Sequence, residues 1–475
     1  MSAIVQTLDS LRAGNPVTGE QIAQVLRASA DRSTAQKNLF ERYKGTKDGV
    51  PILKRTYPIN DTSKINNKVA NDFFSDIINT KIGYFAGKPI VYKYEDKDLP
   101  SVVSDDMKRN SYSDLDGETA KMAAICGFGA RLCFINKDGL QSQINIPAWE
   151  TVFLYDDIGV TDAEYALRFY VVQRDGKNGI YVEFYDPVNV SYWFRDGDSI
   201  QSDDPFEFEG NEPHYFKGCP VICFPNNEEL QGDCEKVLSL IDGYDRTLSD
   251  VNSEIEQFRL AYMAFYGVIP DQETIDKARQ TGAFGIPASA TGDQGRIEFV
   301  TKNLNDVVIQ NHLQQLERNI YRFAQSVDTS DQAFAANQSG VAMKYKMFAL
   351  ESKCISAERK FTKALYKLFD VLSGYYSKKG VSIEPLKMQF VFTRNFPLNL
   401  LDEAQTTATL RGNVSEITRV GLLSFVNDPM KELERMKQDL EDQYAMVNLE
   451  NPSLLQDAET PESAAFKEFS KYAGE

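Results

Sequence analysis

The stretch LSLIDGYDRTLSDVNSEIEQFRLAYMAFYG (238–267) decides the fold. Starting from Val237, its apolar residues Ile241, Tyr244, Leu248, Val251, Ile255, Phe258 and Tyr262 recur at alternating steps of four and three. That spacing keeps one narrow seam of an α-helix facing a partner. It predicts a helix over 234–266, whose stripe alone is roughly 38 Å long at ~1.5 Å per residue. Asp242, Asp245, Asp250, Glu254 and Glu256 occupy the other faces.

Two further stripes follow. One reads Ile309, Leu313, Leu316, Ile320, Phe323, Val327, and predicts a helix over 306–327. The other reads Met343, Met347, Leu350, Cys354, Ala357, Phe361, Leu365, Leu368, Leu372, Tyr375, and predicts a helix over 341–378. Between the first two lies an insert broken by Gly267, Pro270, Gly282, Gly285, Pro287, Gly292 and Gly295. A short helix (272–279) and two strands (283–286 and 297–301) fit inside it. A polar loop, 328–340, separates the second stripe from the third. The order predicts a long helical hairpin with a small module at its tip, then a third long helix. Helices this long need long partners, which a packed ring of copies supplies more readily than a monomer.

Upstream, residues 18–45 read as two short helices, the first capped by Thr18 and the second by Asp31 or Ser33. A helix is expected over 63–85, where Ile65, Val69, Phe73, Ile77, Ile78, Ile82 and Phe85 share a face, then a strand at 90–94 and a helix over 116–125. From Arg131 the period changes to two. A hairpin (132–135, 143–146) and strands at 152–155, 166–172, 180–185 and 190–194 are divided by Asp-Gly, Asp-Asp and Asp-Pro turns. The acidic stretch 203–212 reads as a solvated loop. Lys387 to Arg394 alternates as a strand returning to this body, residues 402–447 are helical again, and the acidic tail from 451 reads as disordered. The fold class expected is α+β, mainly α.

The chain has 475 residues and a net charge of −17, from 69 acidic and 52 basic side chains, which excludes bulk electrostatic adhesion to nucleic acid. No signal peptide or membrane-length apolar run is visible. Six cysteines in no disulfide-rich pattern suit a reducing compartment. Cys219 and Cys223 suggest a metal knuckle, but only His214 and His312 could complete four soft ligands, so small thiols buried on a strand are expected. GYFAGKP (83–89) resembles a phosphate loop only loosely, because Pro89 stands where a magnesium-binding hydroxyl is needed. No serine-hydrolase or zinc-protease motif occurs. Asp196, Asp198, Asp203 and Asp204 could face a hard cation, yet the loop lacks the glycine and terminal glutamate of an EF-hand and reads as a hairpin turn. No catalytic residue, cofactor site or metal site is expected.

With these elements placed, the chain resembles the portal proteins of tailed bacteriophages, of the long-tailed type that infects Gram-positive hosts. The resemblance spans about 30–450. It rests on KINNKVANDFFSDIINTKIGYFAGKPIVYKY (64–94), on 238–267, and on NQSGVAMKYKMFALESKC (337–354), taken in order.

The resemblance implies a ring, usually of twelve subunits, at one capsid vertex of the virion, assembled in the host cytoplasm. Its parts would be an α/β wing (1–233, with strand 381–400 returning to it), a long-helix stem (234–266 and 306–327), a small α/β clip (267–305), a tunnel loop (328–340), a helix from channel to wing (341–380), a helical crown (401–448) and the tail (449–475). Implied partners are double-stranded DNA, touched weakly and without sequence preference, a terminase, a head–tail adaptor, and the major capsid and scaffolding proteins, with no membrane. The implied channel residues are Thr329, Ser330, Asp331, Gln332, Asn337, Gln338 and Ser339, with possible DNA contacts from Lys344, Lys346 and Lys353. The stem seam would use Ile241, Leu248, Ile255, Leu313 and Ile320. The clip would present Ala288, Thr291, Asp293 and Gln294 to terminase and adaptor. An acidic conduit suits this role, since tight phosphate neutralisation would hold DNA that must slide. The rival readings are a coiled-coil-like scaffold or adaptor, and an enzyme without familiar motifs.

Overall fold

The computed structural model describes residues 3–475 except 57–64, 96–97, 157–158, 259–261, 267–270, 274–275, 277–295, 301–305, 329–344, 396–399, 424, 427 and 451–475. It is a mixed α+β chain forming two compact units, one of residues 1–329 and 347–395, the other of 330–346 and 396–475.

The larger unit begins with α1 (Ala3–Arg12) and α2 (Gly19–Tyr43). Residues 18–45 are thus one helix rather than two. Thr18 starts it with a capping box: the Gln21 amide donates to Thr18 Oγ1 (3.3 Å) while the Thr18 amide donates to Gln21 Oε1 (3.0 Å). Ser33, expected as a second cap, instead donates to the carbonyl of Trp149. After the short α3 (Pro51–Lys54) come α4 (Phe73–Phe85), β1 (Val91–Tyr94), α5 (Ser101–Arg109) and α6 (Tyr112–Cys126). Gly127 ends α6 at φ +89°, and a Cβ there would stand 1.9 Å from the Leu230 carbonyl oxygen, so only glycine fits.

Two antiparallel sheets follow. Strands β2 (Phe128–Ile135), β3 (Gln141–Ile146) and β9 (Val221–Pro225) form one, in the order β3-β2-β9. Strands β4 (Thr151–Leu154), β5 (Tyr165–Arg174), β6 (Lys177–Tyr185), β7 (Asn189–Asp196) and β8 (Glu207–Pro213) form a five-stranded meander. One face of the meander, with Val152, Leu167, Phe169, Ile180, Val182 and Trp193, closes a core against Leu8, Ile22 and Leu26 of α1 and α2. The acidic stretch expected as a loop is its edge strand. It pairs with β7 through an irregularity at Tyr192/Trp193, and its charges and terminal proline blunt the open edge.

The long hairpin consists of α7 (Leu238–Phe258) and α8 (Asp306–Phe323), with β10 (Tyr262–Tyr266) and β11 (Arg296–Val300) paired antiparallel between them. Helix α7 therefore stops before Tyr262, the last residue of the first stripe. The third stripe lies on α9 (Phe348–Lys378), and the chain then returns as β12 (Met388–Val391), antiparallel to β1. The smaller unit holds α10 (Leu400–Thr409), α11 (Glu416–Gly421) and α12 (Pro429–Glu450). Ser415 caps α11, and Asp428 Oδ1 accepts from the amides of Met430 and Lys431 at the start of α12.

The helix expected over 63–85 starts only at Phe73. Residues 65–71 run extended along α7, antiparallel to it. The amides of Asn71, Val69 and Asn67 donate to Asp245 Oδ1 (3.0 Å), Ser249 Oγ (2.9 Å) and Ser253 Oγ (3.0 Å). Two extended residues span ~6.6 Å and four helical residues ~6 Å, so a stripe at i, i+4, i+8 matches alternate amides of a strand. This polar ladder satisfies backbone that neither sheet nor helix serves. Asp245 also accepts from Asn71 Nδ2 (2.8 Å) and is buried. Asp245→Ala leaves two donors unpaired, and a loss of about 1–3 kcal/mol is expected. Thermal unfolding is the check, and an unchanged midpoint would remove the ladder from the stability account.

Candidate assembly and channel surfaces

The hairpin seam is buried at its root and open at its far end. Ile241 is 3% exposed and lies with Ile320 and Ala324 in the core formed by α4, α6 and β2. Leu248 and Val251 on α7, and Ile309, Leu313 and Leu316 on α8, are half-buried. Ile255 near the end of α7 is 52% exposed, and Val307 and Val308 at the start of α8 are 66% and 59% exposed. The apolar stripe outlasts the packing that this chain provides among the described residues. The third stripe differs: from Leu350 through Tyr375 every one of its positions is buried. That seam is core of the larger unit, packed on β9 through Phe361 and Phe224, whose ring centroids are 4.8 Å apart.

At the root of the hairpin stands a buried charge cluster. Asp233 Oδ2 lies 2.8 Å from Lys81 Nζ on α4, and its Oδ1 lies 3.1 Å from Lys353 Nζ on α9. Asn226 Nδ2 donates to Asp233 Oδ1 (3.0 Å), and its own Oδ1 accepts from Lys81 (2.7 Å). Burial alone would raise the Asp233 carboxyl, but the two ammonium groups and the hydrogen bonds outweigh it and hold the carboxyl below its ordinary value. Burial pulls the Lys353 ammonium down, against the opposing pull of Asp233. Lys353, named above as a possible DNA contact, is half-buried and paired with Asp233 within the subunit. Its spacing off the apolar stripe gives no hint, because Asp233 is remote in sequence.

A second buried pair fixes the sheet beneath. Arg131 on β2 donates to Asp116 (2.9 Å) and Thr119 (2.7 Å) of α6, with its guanidinium 4.9 Å from the Phe224 ring centroid. Tyr92 of β1 donates to the other Asp116 oxygen (2.6 Å). Burial raises the Asp116 carboxyl despite these partners. Sequence reading passed over Arg131, since an arginine on an alternating strand looks like an outward residue.

The other named positions divide simply. Thr329, Ser330, Asp331, Gln332, Asn337, Gln338, Ser339 and Lys344 lie outside the described residues, as do Ala288, Thr291, Asp293 and Gln294 of the insert. Lys346 is exposed. All six cysteines are buried and reduced, with Cys223 on β9 and Cys219 just before it. Burial raises the thiols of Cys126, Cys133 and Cys219 to about 12, which keeps them protonated and inert. Among the described residues no helix is long and apolar enough to cross a membrane.

Comparison with known proteins agrees with the resemblance read from the sequence. Residues 25–444 match the family described as "Phage portal protein, SPP1 Gp6-like". The chain is 25% identical to the portal protein of Bacillus phage SPP1 over 426 residues, covering 85% of this chain and 83% of that one. It is 22% identical over 411 residues to the portal protein of Clostridium phage phiCD119, covering 81% and 88%. With the family match running through both units and both helices of the hairpin, this chain belongs to the SPP1 Gp6-like family of phage portal proteins.

Proposed function

We propose that copies of this chain close into a ring, of twelve subunits, that forms the DNA channel at one capsid vertex. The ring would take in the genome with a separate terminase, join head to tail through an adaptor, and release DNA on ejection. Family membership over residues 25–444 carries this reading. The open end of the α7–α8 seam supports it, because a neighbouring copy would cover apolar surface that otherwise faces water. In this assignment α7 and α8 are the stem, the insert 267–305 is the partner-binding clip, 328–340 lines the channel, 401–448 is the crown, and the remaining α/β body is the wing. The role is structural, and the energy for packaging would come from the terminase.

The loop DTSDQAFAANQSG (328–340) has no lysine or arginine. Neutral hydrogen bonds to phosphate avoid the ion release that makes binding tight. Gln332→Arg would set a ring of new cations around the duplex. DNA packaged per procapsid should fall at low salt and recover as salt rises, since screening shortens from ~10 Å at 0.1 M to ~3 Å at 1 M. Wild-type packaging at every salt concentration, by intact rings carrying the substitution, would take this loop out of the channel.

A further inference from the structure

We infer that Lys353 is a positioning residue: from α9 it caps the C-terminus of α8 and anchors that cap on Asp233, adding a polar tie to the core packing of Ile320 and Ala324. Gln325 sits at φ +52°, in the left-handed region. Its amide donates to the Arg322 carbonyl (3.2 Å), and the Ser326 amide donates to the Tyr321 carbonyl (3.0 Å). These are the two bonds of a Schellman ending, here built on glutamine instead of the usual glycine. The motif serves the carbonyls of Tyr321 and Arg322. That of Ala324, one of the last in the turn and with no other partner among the described residues, accepts from Lys353 Nζ at 2.7 Å. Ala324 itself is buried.

Lys81 and Asp233 already form a pair, and Asn226 bridges them with one hydrogen bond to each. Lys353 is a second cation on the same carboxylate. A cluster built only for stability would be neutral with Lys81 and Asp233 alone. What favours the extra ammonium is the negative end of α8, whose last carbonyls attract a cation. Lys353 is therefore shared between a helix terminus on one side and a carboxylate rooted in the body on the other, and it links α8, α9 and the loop before α7.

Hydrogen exchange of the full-length assembled protein separates this role from ordinary core stabilisation. Lys353→Met keeps the length of the side chain, removes the donor, and leaves Lys81 and Asp233 as a balanced pair. Amides of residues 324–327 should then exchange at least ~10-fold faster, while the melting temperature moves by less than ~4 °C, since the loss of the cap is offset by the removal of a buried charge. Lys81→Met is the companion variant, with Lys353 left in place on Asp233 and Ala324. It should leave exchange at 324–327 as in the unsubstituted protein, whatever it does to overall stability. Unchanged exchange at 324–327 in Lys353→Met overturns the inference. So does equal acceleration in both variants, or a general acceleration with a large fall in melting temperature, because either result makes Lys353 one more core contact.

Discussion

Asp233→Asn is expected to cost about 3–5 kcal/mol, the loss typical when one partner of a buried ion pair is removed. The substitution leaves the buried Lys81 and half-buried Lys353 ammonium groups with no anion between them. At a few degrees per kcal/mol for a body of this size, the melting temperature should fall by roughly 10 °C. The pH dependence has a definite sign. The folded carboxyl titrates below its unfolded value, so its contribution is complete above the ordinary aspartate pKa of about 4. It is lost as the pH falls through the lower folded value. Unfolding midpoints measured downward from pH 7 should therefore keep their gap until the pH falls below about 4, and then draw together for Asp233→Asn and the unsubstituted chain. Parallel curves with a constant gap would show that the carboxylate charge is not what holds the cluster.

Leu248→Asp should abolish assembly. Leu248 lies midway between the buried root of the hairpin seam and its open end, and it is half-buried within its own chain. A neighbouring copy would cover the rest. Asp at this position would desolvate a carboxylate one turn from Asp245 on the same helix, at several kcal/mol for each interface. The cost repeats at every contact around a ring, so the particle and not the subunit should be lost. Light scattering would then report a small species whose circular dichroism matches that of the assembled protein. The same large particle at the same stability would show that this seam does not join copies.

The parts of the fold legible in the sequence are those set by local periodicity. The alternating steps of α7, the alternation in the meander and the turns between its strands are properties of short windows, and they predict elements that the structure contains. The misreadings occur where tertiary partners decide. Ile65 and Val69 continue the helical spacing of α4, yet the chain there is extended, because Asp245, Ser249 and Ser253 of α7 serve its amides. Tyr262 continues the stripe of α7, yet it pairs as a strand with Val300. The stretch around 207–213 is acidic enough to read as a solvated loop, but an edge strand needs only one neighbour and tolerates charge. Residues 18–45 join into one helix because Thr18 and Gln21 cap its start and nothing between them and Tyr43 breaks it.

The candidate sites follow the same division. Apolar spacing marks the residues of the α7–α8 seam in the sequence, and their role between copies is a proposal. Lys353 and Arg131 were not legible, since a charged side chain in sequence reads as exposed until its partner is known. The partners are Asp233, 120 positions from Lys353, and Asp116, on the helix before the strand that carries Arg131. Stripe spacing alone could not separate the third seam, which is internal core, from the first two, which open toward the end of the hairpin. That difference lies in what the body of the chain covers.

Electron microscopy of the purified full-length protein, averaged without imposed symmetry and paired with a light-scattering mass, tests most directly whether this chain closes into a ring around a channel. Closed rings with a central hole and a mass near twelve subunits are expected. Dimers or filaments would point to a scaffold or adaptor, and a compact monomer at micromolar concentration would contradict ring closure outright.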